Sequence, residues 1–273
     1  MGRNRRNDEA VFVMERNTLK MIQDNLDRLI RDGIIKERTI EELGIPMGKW
    51  REIQFKNKSF HLMEAYKCTK KLDCVDFLKT LKKACLKEIT ETDFKKYCDD
   101  KKISFEITKG QRSIGGYFDL NEAKITILLT KDVFIKVMLA DEQELGILAS
   151  NLWCNYTHEH THMQQAKVSK MGFKNYKPSA VEYWDEDFGK SFDYFNQTIE
   201  ADAYGREIAA RLSSYYVGET VLDIFERIRK NDIDDKYSKK IINIYKDFRI
   251  DNDVMKHFYR ALYDTLCGNE DEE

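Results

Sequence analysis

The sequence predicts an α+β fold that is predominantly helical. It reads as a helical N-terminal domain over residues 1–100, followed by a domain over residues 101–273 with a small antiparallel sheet and C-terminal helices. Three observations carry this reading. Only two of the 273 residues are proline, well under the usual share of about 5%. Apolar residues recur three and four apart along most of the chain, as they do on the buried face of a helix. Strand-like composition is confined to one stretch after Asp100.

From Ala10 to Ile30, the residues Val11, Met14, Leu19, Ile22, Leu26, Leu29 and Ile30 mark an amphipathic helix that Gly33 ends. Thr39 is placed as an N-cap with Glu42 three residues on, and Gly44-Ile45-Pro46 breaks the chain before a second short helix over Met47 to Phe55. Two short helices around a glycine turn have the form of a helix-turn-helix. Further helices are expected over Ser59 to Lys70 and Asp73 to Leu86. Strands follow at Ser104 to Thr108, Ser113 to Leu120 and Lys124 to Thr130, rich in β-branched and aromatic residues and punctuated by Gly115-Gly116 and Asn121-Glu122. The helical period returns at Glu142 and runs to about Lys167. It resumes over Tyr194 to Tyr216, Val221 to Lys230, Ser238 to Phe248 and Val254 to Leu266, leaving Met171 to Lys190 as a connecting loop or a lid.

The net charge of −2 excludes a histone-like polycation, but it is an average of unlike parts. Residues 1–100 carry +4 and the remainder −6, and residues 49–87 alone carry +7. No run of 18 apolar residues and no apolar N-terminal stretch is present, so membrane spanning and secretion are not expected. Six cysteines without a CxxC pair point to reduced thiols and a cytoplasmic location.

Three of the five histidines fall within His158-Glu159-His160-Thr161-His162, an HExxH pattern inside a helical segment. Residues four apart on a helix stand one above the other, roughly 6 Å apart. His158 and His162 can therefore converge on one Zn2+, leaving positions for a third ligand and water. Glu159 is placed to take a proton from water acidified by the metal. His160 lies about 200° around the helix from His158 and cannot join them. Cys154 shares the face of His158 and His162, but eight residues of helix span about 12 Å, too far for one ion. The third ligand must come from elsewhere. Glu200 is the best candidate, because Ala201, Ala203 and Gly205 let its helix approach a neighbour closely. Asp202 is placed to hydrogen-bond a ligand histidine from behind.

These residues resemble the zincin metallopeptidases of the gluzincin type. Thr157 to Gln165 (THEHTHMQQ) and Ile199 to Ala209 (IEADAYGREIA) are similar to the two motifs of the ImmA/IrrE-like group. The resemblance implies a zincin-like domain with His158, His162 and Glu200 as zinc ligands and Glu159 as general base. It also implies an edge hairpin beside the cleft, here around Gly116-Tyr117-Phe118 and Ile125-Thr126-Ile127. That group often carries a Cro/C1-type helix-turn-helix, which residues 25–78 resemble. Lys49, Arg51, Gln54, Lys56 and Lys58 would then contact DNA or a protein partner.

Three functions follow as expectations. One is an intracellular zinc endopeptidase cutting a specific protein, such as a transcriptional regulator. Another is a DNA-binding regulator whose metal site is structural or sensory. The third is a helical interaction protein in which the HExxH pattern is accidental. Tyr156, Tyr183, Tyr194 and Tyr204 all qualify as oxyanion donors for the first.

Overall fold

Helix α1 (Arg3–Arg31) buries Ile22, Leu26 and Leu29 along one stripe, as their spacing of four and three requires. Gly33 follows at φ +73°, the left-handed conformation that ends a helix without a Cβ clash. The computed structural model describes residues 3–38, 72–109, 114–119, 124–168 and 192–268. The helices expected at Thr39–Leu43, Met47–Phe55 and Ser59–Lys70 lie outside them, together with Lys49, Arg51, Gln54, Lys56 and Lys58.

The next elements are strand β1 (Lys36–Arg38), helix α2 (Cys74–Cys85) and helix α3 (Glu91–Asp100). Asp73 caps α2 by accepting from the Asp76 backbone N–H, and Thr90 and Asp93 form a reciprocal capping box on α3. Strands β2 (Ile103–Thr108), β3 (Ile114–Asp119) and β4 (Lys124–Thr130) follow close to their expected bounds. The sheet order is β1-β2-β4-β3. Only β3 and β4 are antiparallel; β1–β2 and β2–β4 are parallel, so the sheet is mixed and the antiparallel expectation is corrected. The reason lies in the strands themselves. Strand β4 buries Ile125, Ile127 and Leu129 and takes an inner position, whereas β3 carries Gly115 and Gly116, which pack poorly inside a sheet, and takes the edge.

Thr130 ends β4 and caps helix α4 (Lys131–Leu139) through the Val133 N–H. Then come α5 (Glu142–Val168), α6 (Phe192–Phe195), α7 (Thr198–Tyr215), α8 (Val221–Lys230), α9 (Lys236–Tyr245) and α10 (Asn252–Leu266). Two cores organise them. The first runs from Ile22 to Met163 and joins α1, α2 and α3 to the sheet, α4 and one face of α5. The second runs from Phe195 to Leu262 and joins α7 to the later helices. The boundary expected near residue 100 is thus not a break in packing among the described residues, since β1 pairs with β2 across it. Helices α5 and α7 pack together where the cores meet. Among the described residues no helix is long and apolar enough to cross a membrane.

Candidate metal centre

Helix α5 places His158 and His162 one turn apart with their Nε2 atoms 3.1 Å from each other. Glu200 reaches them from the first turn of α7, where a carboxylate also suits the helix dipole. Its Oε2 lies 3.5 Å from His158 Nε2 and its Oε1 lies 3.5 Å from His162 Nε2. All three side chains are buried, and each offers one ligand atom within 4.8 Å of the others.

Among the described residues neither Glu200 oxygen makes a hydrogen bond, although the residue is fully buried. A buried carboxylate left in that state is costly. A cation between the three groups removes the difficulty, and the donor spacing suits one. Ligand atoms about 2.0–2.2 Å from a tetrahedral centre stand roughly 3.4 Å apart, close to the separations found here. The residues present therefore fit a divalent metal of the imidazole- and carboxylate-binding kind.

The charges of the cluster support one another. Burial alone would lower the His158 pKa, but Glu200 and Glu207 outweigh it and lift the value to about 10. His162 is lifted above the ordinary imidazole range in the same way, with Glu200 overcoming burial. Burial would raise Glu200, yet His162 and His158 hold it well below the usual carboxylate range. Glu159 moves the other way: burial, helped by repulsion from Glu200, raises its pKa despite both histidines.

Glu159 points out of the cluster toward the sheet edge. Its Oε2 accepts the Phe118 backbone N–H at 2.8 Å. Gly116 makes room for this contact, since a Cβ there would lie 3.0 Å from the Thr126 carbonyl oxygen and 3.4 Å from Glu159 Cγ. The expected strand pair is present, with Gly116 opposite Ile127, Tyr117 opposite Thr126 and Phe118 opposite Ile125.

Asp202 does not back a ligand histidine as expected. Two residues beyond Glu200 is about 200° around the helix, and Asp202 instead meets His257 Nδ1 of α10 at 3.1 Å. The residues behind the ligands are Glu207, with Oε2 3.2 Å from His158 Nδ1, and Gln165, with Oε1 2.9 Å from His162 Nδ1. Gln165 Nε2 also donates to the Ile199 carbonyl, tying α5 to α7. Both were legible as spacings, because Glu207 stands two turns past Glu200 and Gln165 one turn past His162.

Gly205 serves a different neighbour from the one expected. A Cβ there would fall 2.5 Å from the Phe258 carbonyl oxygen and 2.8 Å from Ala261 Cβ, so it admits α10 rather than α5. Cys154 is buried, with its thiol donating to the Ser150 carbonyl. His160 stacks on Tyr156 outside the cluster. The Tyr204 ring meets the His158 ring edge-on at 4.5 Å, and Tyr194 lies 6.2 Å beyond it. Tyr183 and the segment 171–190 lie outside the described residues.

Fold and site together define a mostly helical α+β protein with a buried His-His-Glu cluster shared by two packed helices. No family model, curated protein or solved structure matches the chain.

Proposed function

We propose that this protein is a zinc-dependent endopeptidase that cleaves a protein partner, with His158, His162 and Glu200 as ligands and Glu159 as general base. The observation that carries the reading is the division of labour among four buried or half-buried side chains. Three converge with their donor atoms, and the fourth, the Glu159 carboxylate of the HExxH motif, is turned to the sheet edge. Zinc bound there supplies Lewis acidity, which polarises a peptide carbonyl and acidifies water.

The protein's own groups do the rest. A raised pKa makes Glu159 a stronger proton acceptor near neutral pH. The Phe118 N–H holds one of its oxygens and so fixes the orientation of the other. The same bond ties the proposed base to strand β3, at the edge of the sheet. The five free cysteines among the described residues are in keeping with a reducing, cytoplasmic compartment.

Glu159→Gln tests the assignment directly. Proteolysis of a denatured protein substrate should fall by about 10²–10⁴-fold, with zinc content unchanged. Activity retained in the variant would remove Glu159 as the base.

A second reading, a DNA-binding regulator with a structural or sensory metal, rests on the +7 of residues 49–87. It predicts binding to duplex DNA that weakens steeply with salt. Absence of binding at low ionic strength would dispose of it.

A further inference from the structure

Two carboxylates of α7 approach the same imidazole from opposite sides. Glu200 faces His158 Nε2, and Glu207 lies 3.2 Å from His158 Nδ1. Glu207 is 2% exposed. Burying a carboxylate costs several kcal/mol unless it is paired and hydrogen-bonded, and Glu207 is held on three sides. Its Oε1 accepts from Arg211 Nε at 3.2 Å, and its Oε2 accepts from Tyr237 OH at 3.4 Å while facing the imidazole. The Arg211 guanidinium in turn lies over the Tyr237 ring, 4.4 Å from its centroid. His162 is backed differently, by the neutral amide of Gln165.

We infer that Glu207 is the positioning residue for His158. Its carboxylate lies in ion-pair range of Nδ1, and a proton on Nδ1 facing that charge keeps the imidazole in the tautomer that presents Nε2 to the metal. Arg211 and Tyr237 fix the carboxylate in place. The inference rests on the metal site proposed above and adds a role for the C-terminal helices, since Tyr237 belongs to α9. A carboxylate behind a ligand histidine orients the ring and raises its basicity, and losing such a partner typically weakens metal binding 10–100-fold.

The test is zinc affinity, measured on the full chain by chelator competition. Wild type should bind one equivalent, and Glu207→Gln, which keeps shape and removes charge, should bind about 10–100-fold more weakly. Glu207→Asp should recover part of the loss. Equal affinity in wild type and Glu207→Gln overturns the positioning role and leaves the zinc site standing. Failure of wild type to bind zinc removes the site itself, and the inference with it. Should Glu207→Gln not fold, nitrogen-15 NMR of histidine-labelled, zinc-loaded wild type decides. A proton on His158 Nδ1 supports the role, and a proton on Nε2 overturns it.

Discussion

Toward α5, helix α7 presents Glu200 and Glu207; toward the second core and α10 it presents Ala201, Gly205, Ile208 and Leu212. Both faces are buried, yet one carries charge and the other small or aliphatic groups. A helix that only had to pack would be apolar on both, because a buried ion pair rarely stabilises more than well-packed hydrophobic residues of the same volume. The charged face is therefore the one that forms the proposed metal site. The apolar face supplies the stability that lets it persist.

Substitutions on each face should separate these roles. Glu200→Ala should have the largest effect. It should abolish stoichiometric zinc binding and with it about 4 kcal/mol of zinc-linked stabilisation at a zinc concentration 1,000 times Kd. Thermal unfolding with and without zinc reads this, and an unchanged zinc-dependent shift would exclude Glu200 as a ligand. On the opposite face, Gly205→Val should cost about 3 kcal/mol by overpacking against the α10 backbone. Chemical denaturation would measure it, and a cost near zero would mean that α10 can retreat.

A pH series gives the finest resolution. In chelator-stripped protein the raised His158 pKa favours folding fully below about 6.5, its ordinary value, and that contribution fades as pH rises toward about 10. Zinc must displace the same proton. Affinity should therefore rise about tenfold per pH unit across this window for each proton released. Calorimetry in buffers of different ionisation enthalpy counts the protons. Pure metal uptake with no proton release would contradict the charge balance described for the cluster.

Much of this was legible in the sequence, and the gaps have physical causes. The His158 and His162 pair followed from helical spacing, Glu200 from the small residues beside it, and β2, β3 and β4 from side-chain composition. Helices α3 and α4 were missed because their starts are set by single caps, Thr90 and Thr130, rather than by a long apolar period. Strand β1 was missed because Lys36-Glu37-Arg38 is wholly charged. It is held by backbone pairing to β2 and by contacts of Glu37 with Lys109 and Lys131. Those lysines also lower the Glu37 pKa against burial. The exchange of Asp202 for Glu207 turns on helix phase. Which side of α7 meets α5 is decided by α10 closing on Gly205, a contact between residues 50 and more positions apart that no local pattern records.

The bond between Glu159 and Phe118 also bears on how this protein behaves in a crowded solution. An exposed edge strand is a template on which another chain can add, which is the first step of aggregation. Strand β3 sits at such an edge, and its Phe118 N–H is already taken by a carboxylate of the same chain. A strand from a second copy aligned there would lose that donor and meet a charged side chain instead. The contact that holds the proposed base in place thus also makes the edge a poor seed for self-association.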